Sequence, residues 1–147
     1  MALKFVPITT DKDQMKPYLD DPFCLDVFLV YQEFYTKIPF QLPWVGYFAL
    51  SDNGVVGVGG FKGAPKHNTI EIAYGTVPKM EGRGYASMIC NQIIKIALAH
   101  DSRIVITART LMEENASTTI LKKNGFKYVG VVDDPDDGEV WEWQRSE

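Results

Sequence analysis

Cysteine and histidine are scarce in this sequence, two of each, and their placement excludes most of the chemistry that depends on them. Cys24, Cys90, His67 and His100 stand far apart, so no ligand set at zinc-site spacing is expected. Both cysteines lie inside apolar segments and read as core thiols of a protein kept in a reducing, cytosolic setting. No apolar run approaches the roughly 18 residues that a membrane-spanning helix requires. The opening stretch Met1–Pro7 lacks the apolar core of a signal peptide. Basic charge is not in excess: 15 lysines and arginines face 19 acidic residues, a formal net charge of −4. General affinity for nucleic acid or an anionic membrane is therefore not expected. There is no Gly-x-Ser-x-Gly elbow of a serine hydrolase, no internal repeat and no low-complexity tract.

What is present is ordinary globular material. The 147 residues are 46% hydrophobic, enough for one domain with a real core and too few for two. Residues 1–147 are read as a single domain. A strand over Lys4–Ile8 opens the chain. Asp21-Pro22 has the form of an N-cap with proline at the first helical position, and the helix it starts, Pro22–Thr36, is apolar almost all round. Such a helix is expected to bury most of its surface, in the core or against a partner, and would suit a homodimer. Trp44–Leu50 and Val55–Phe61 flank Ser51-Asp52-Asn53-Gly54, a strong hairpin signal, and Thr69–Val77 follows as a third strand of an antiparallel meander.

Beyond Val77-Pro78 the pattern changes to alternating helix and strand. Tyr85–Ala99 carries one wet stripe, Ser87, Asn91 and Lys95, opposite an apolar side. Arg103–Arg109 reads as a buried strand, and Asn115–Asn124 as a helix stopped by Gly125. Phe126–Val132 and Glu139–Gln144 pair across the acidic turn Asp133–Gly138. The order predicts an α/β (α+β) fold: a mixed, mostly antiparallel central sheet of about seven strands with a parallel crossover in its second half and helices on both faces.

The most informative segment runs from Ile70 to Ala86. A strand enters the glycine-rich turn Glu81-Gly82-Arg83-Gly84 and passes directly into a helix. Free amides at a helix start, with the positive end of its dipole, form a site for phosphate. Gly82 and Gly84 allow close approach and unusual dihedrals, and Arg83 adds charge. By itself this pattern is also compatible with a plain tight turn. A dinucleotide fingerprint is disfavoured, because the third glycine is Ser87 and no acidic residue closes the next strand at Thr107–Arg109.

The segment resembles motif A of the GNAT superfamily of N-acetyltransferases, Gln/Arg-x-x-Gly-x-Gly/Ala after a strand. It matches at Gly84 and Ala86 and departs at Glu81. Glu114–Phe126 resembles motif B, Asn-x-x-Ser ending in Lys-x-Gly-Phe, with Ser117 on the serine and Asn115 one residue late. With Glu71 and Tyr74 before the loop, the chain is most similar to the branch that acetylates ribosomal-protein N-termini.

The resemblance implies an acyl-CoA N-acyltransferase fold and transfer of an acetyl group from acetyl-CoA, without a metal, to a primary amine. The acceptor would be a small molecule or a peptide. It also implies that Val77, Gly82, Arg83, Gly84, Tyr85, Ala86 and Asn115 hold the cofactor, with the Val77 amide facing the developing oxyanion.

Glu71 is the candidate base, acting through water; the same residue could instead be a solvated strand glutamate. Many members use a tyrosine four residues before the motif B glycine, where this chain has Leu121. In the branch it most resembles the aligned serine is the usual substitute, so the resemblance nominates Ser117 to hydrogen-bond the departing sulfur, although a hydroxyl there could equally cap the helix. A non-catalytic module that binds coenzyme A is the competing expectation. Phe28, Tyr31, Phe34 and Tyr35, with Phe40 and Trp44, would either wall the acceptor site or fill the core.

Overall fold

The antiparallel hairpins and the single parallel crossover are all present in the computed structural model, which describes residues 3–145. Strand β1 (Lys4–Pro7) leads through a short helix α1 (Lys12–Met15) to α2 (Pro22–Lys37). Strands β2 (Gly46–Ser51), β3 (Gly54–Phe61) and β4 (Thr69–Thr76) form the meander. Then come α3 (Tyr85–His100), β5 (Val105–Thr110), α4 (Ala116–Lys123), β6 (Lys127–Asp134) and β7 (Gly138–Arg145). The spatial order is β1-β2-β3-β4-β5-β7-β6, and among the described residues only β4 and β5 pair in parallel. The expected sheet is therefore observed, and the short α1 is an element that the sequence pattern did not announce.

Local chemistry explains the boundaries. Asp21 caps α2 by accepting the Phe23 amide at 2.8 Å, with Pro22 at the first helical position. Asn115 caps α4 in a reciprocal box with Thr118. Gly54 closes the β2–β3 hairpin at φ 113°, a value that an ordinary side chain would resist.

Two apolar clusters hold the layers. One packs Ile89, Cys90, Ile93 and Ala97 of α3, with Leu121 of α4, against Ile70, Ile72, Ile106, Ala108 and Trp143 of the sheet. The other packs Met15, Cys24 and Phe28 against Phe48, Val58 and Val77 on the opposite face. Gly59 permits the first contact, because a β-carbon there would collide with Ile89 and Ile93. Both cysteines are buried free thiols, and burial pushes the Cys90 thiol up to about 12 and Cys24 up to about 11. They are packing groups.

Helix α2 meets the core on one side only. Only Cys24 and Phe28 are buried on it, and Leu29 and Val30 are 53% and 67% exposed. Its apolar residues split between the core and the wall of a cavity described below. Among the described residues, no helix is long and apolar enough to cross a membrane.

Candidate active site

The site is organised by the place where β4 and β5 part. Their parallel pairing runs from Thr69↔Val105 to Ile72↔Ala108 and stops, while β4 stays paired with β3 as far as Thr76. Lys62 donates to the Glu71 carbonyl at 3.0 Å and Val77 donates to the Val56 carbonyl at 2.9 Å. Odd-numbered residues of β4 thus turn their backbone groups toward β3. Alternation along the strand turns those of Tyr74 and Thr76 toward the split, where no strand accompanies them. This corrects the expectation for Val77. Its amide is already bonded and the residue is buried, so the amides facing the split belong to Tyr74 and Thr76.

Directly after β4, a short 3-10 turn over Pro78–Met80 leads to the glycine-rich turn. Gly82 and Gly84 have φ of 79° and 84°, and Gly84 is the N-cap of α3. Unlike Asp21 and Asn115 on α2 and α4, Gly84 offers no side-chain acceptor to the first amides of α3. The sixteen-residue α3 therefore begins with open N–H groups at Tyr85, Ala86 and Ser87 and its positive dipole end facing outward. Gly82, Arg83 and Gly84 are exposed and Tyr85 and Ala86 are half-buried. A β-carbon at Gly82 or Gly84 would meet no protein atom within 4 Å. Dihedrals, open space and dipole together fit a diphosphate group.

Asn115 is placed differently. Its side-chain oxygen accepts the Thr118 amide at 3.2 Å and its amide nitrogen lies 3.5 Å from Glu113. The carboxamide is engaged in capping α4. Neighbouring Glu114 is tied to Lys122 at 2.9 Å.

Ser117 sits in the first turn of α4, and its carbonyl accepts the Tyr74 hydroxyl at 3.3 Å. Burial raises the Tyr74 phenol well above its ordinary value, with Ser117 pulling the other way. The structure thus brings Tyr74 and Ser117 together on the face that carries α3 and α4. A sequence signal for this existed: Tyr74 has the same parity along β4 as the buried Ile70 and Ile72.

Glu71 points to the other face, with α2. One carboxylate oxygen lies 2.8 Å from the Lys62 ammonium and the other 3.9 Å from the Arg109 guanidinium. The oxygen beside Lys62 is buried yet accepts no well-aligned hydrogen bond among the described residues. Arg109 also pairs with Asp134 at 2.8 Å and Glu142 at 3.3 Å. This contact holds the Asp134 carboxyl below the usual carboxylate range, helped by the amides of Asp136 and Asp137. Asp134 thereby fixes the β6–β7 turn. Arg109, the hub of this cluster, was not predicted, because its partners come from three separate strands.

On the same face as Glu71, a cavity of about 560 Å³ opens between α2 and β4. Phe23, Val27, Val30, Tyr31 and Phe34 of α2 wall it, and Ala73, Tyr74 and Gly75 of the split strand form its floor. The exposed carboxylates Asp26 and Asp136 stand at its rim. Tyr31 and Phe34 are thus wall residues, whereas Phe28 and Trp44 belong to the core. Among the described residues, no group of three or more His, Cys, Asp or Glu side chains could hold a metal ion.

Comparison with known proteins agrees with this layout. The family model of the Acetyltransferase (GNAT) domain matches residues 2–127. A spermidine N-acetyltransferase SpeG chimera from Vibrio cholerae superposes with a TM-score of 0.73 at 12% identity, over 99% of this chain and 96% of that one. A GnaT-family acetyltransferase from Bordetella pertussis gives 0.69 at 16% identity, over 98% and 95%. The ribosomal alpha-N-protein acetyltransferase RimL, in complex with coenzyme A, gives 0.67 at 14% identity, over 97% and 98%. No curated protein sequence matches the chain.

Proposed function

The chain belongs to the GNAT family of acetyltransferases, and from that membership we infer that it transfers the acetyl group of acetyl-CoA to a primary amine. The observation that carries this reading is the uncapped start of α3 at Gly84, reached by one short turn from the strand β4 that parts from β5. We take residues 1–147 as one N-acetyltransferase domain, since the family match to residue 127 leaves only the β6–β7 hairpin that completes the sheet.

Acetyl-CoA supplies the thioester: a C–N bond forms as the C–S bond breaks, and one proton is released overall. The amides that open α3 at Tyr85 and Ala86, with Gly82, Arg83 and Gly84, hold the diphosphate. The backbone amides of Tyr74 and Thr76 face the split and supply donors for oxygen charge. Glu71, on the face of the acceptor cavity, takes through water the proton that an ammonium must lose before it can attack. Ser117, on the opposite face, passes a proton to the departing sulfur, with the Tyr74 hydroxyl beside it. Base and acid thus stand on the two sides of the sheet, and a thioester threaded through the gap would meet each where it is needed. Leu121 leaves no tyrosine at the usual place on α4, which concentrates that task on Ser117 and Tyr74.

Two buried thiols, a net charge of −4 and the acidic rim support a cytosolic enzyme acting on a cationic small molecule or peptide. The exposed Leu29 and Val30 on α2 support a homodimer. Calorimetry with coenzyme A, followed by thiol release from acetyl-CoA over a panel of amines, tests the function. Binding with turnover is expected. Binding without thiol release for any amine would instead mean a non-catalytic module, and absence of binding would refute the reading.

A further inference from the structure

The cavity between α2 and β4 identifies the kind of amine, given the acetyl-transfer reading on which this inference rests. We propose that the acceptor is a small primary amine carried on an apolar, aryl-sized body, the body lying against Phe23, Val27, Tyr31 and Phe34 and the ammonium entering past Asp26 and Asp136.

Volume and lining select this occupant. About 560 Å³ lies within the roughly 300–1,000 Å³ of sites that enclose small molecules. The wall is aromatic and aliphatic, and the charged groups Asp26, Asp136 and Lys62 are its main polar side chains. A sugar amine would bury hydroxyls without partners, each weakening binding about tenfold. A polyamine would press its additional ammonium groups against apolar side chains.

An extended peptide would set its backbone amides against the apolar wall without partners. Asp134 accepts the amides of Asp136 and Asp137 at 3.1 and 3.2 Å, which holds Asp136 in the lining of the cavity. The two rim carboxylates complement one cation, and exposed charge of this sign steers it inward. The floor is open because of Gly75. Its β-carbon would point into the cavity, with the nearest Phe23 atom 3.9 Å away. A larger side chain there fits the strand and fills the space meant for the ligand.

The test pairs binding with turnover. 2-Phenylethylamine, ethanolamine, spermidine, an aminoglycoside and an alanine-initiated peptide are compared by thiol release, and 2-phenylethylamine binding to the protein alone is followed by NMR. The aryl amine should exceed ethanolamine in kcat/KM by at least about thirtyfold. Gly75→Leu should reduce that ratio below about threefold and abolish the NMR-detected binding. Phe34→Ala, which enlarges the wall, should shift preference toward a naphthyl amine. Asp136→Asn should raise KM for the aryl amine and weaken its dependence on salt. Equal or better use of ethanolamine, spermidine, the aminoglycoside or the peptide overturns the proposal, as does aryl-amine binding that Gly75→Leu leaves intact. If the aryl amine binds and Gly75→Leu blocks it while coenzyme A does not bind, the acetyl-transfer reading fails and this assignment of the cavity stands.

Discussion

Replacing Gly84 separates the backbone requirement at the start of α3 from the requirement for space. Gly84 has φ 84°, and an L-residue forced into that region costs about 1–2 kcal/mol. For a chain of this size about 1 kcal/mol lowers Tm by roughly 2–4 °C, so Gly84→Ala should lose about 2–8 °C. Asparagine visits the left-handed region far more readily, so Gly84→Asn should fall well short of that loss. Neither side chain meets a protein atom near its β-carbon, so neither disturbs packing.

Coenzyme A affinity should behave differently. Both side chains project where a diphosphate must approach the open amides, and loss of one charge-assisted hydrogen bond is worth about 1.5–3 kcal/mol. That corresponds to roughly 10- to 150-fold in Kd. Differential scanning fluorimetry gives the stabilities and isothermal calorimetry the affinities. The reasoning is refuted if Gly84→Asn is as stable as the wild type and binds coenzyme A within twofold. Equal destabilisation by alanine and asparagine would refute the dihedral account alone.

Arg109→Gln should reduce stability by about 1–2 kcal/mol, between the values for exposed and buried ion pairs, because Asp134 is nearly covered while Arg109 is partly open. Asp134 is depressed in the folded state, so its contribution is fully present above the ordinary carboxylate range and is lost as pH falls through its lower folded value. The Tm gap between wild type and variant should thus be widest near neutrality and narrow below about pH 4; a gap constant with pH contradicts the pairing. Glu71→Gln should lower kcat/KM about 10²- to 10⁴-fold on the acidic side of the pH profile while coenzyme A affinity holds, and an unaltered profile removes Glu71 as the base. Ser117→Ala and Tyr74→Phe should each lower kcat rather than raise KM for acetyl-CoA. If only the double variant is impaired, the two hydroxyls substitute for one another; if neither single nor double variant is impaired, the acid assignment is wrong.

Much of this protein is legible in its sequence. Helix α2 starts where Asp21-Pro22 predicts, the β2–β3 hairpin turns within the expected Ser51–Gly54 segment at Asp52-Asn53, and the glycine-rich turn precedes a helix, because each feature depends on residues within a few positions of one another. The acceptor side was less legible. Arg109 meets Glu71, Asp134 and Glu142 from β4, β6 and β7, and periodicity along one strand says nothing about which charges lie across it.

The sequence by itself determined the order of the strands and of the three longer helices, their placement on both faces of the sheet and the glycine-rich turn before α3, since caps, glycine dihedrals and apolar alternation act locally. Only the tertiary structure decided which amides face the split, because that depends on the β3–β4 register that bonds Val77 to Val56. It also decided that Asn115 serves its own helix, that Tyr74 reaches Ser117, and that Phe23, Val27, Val30, Tyr31 and Phe34 of α2 line a cavity. Those outcomes follow from where the sheet stops pairing, which is a property of distant strands and not of any one segment.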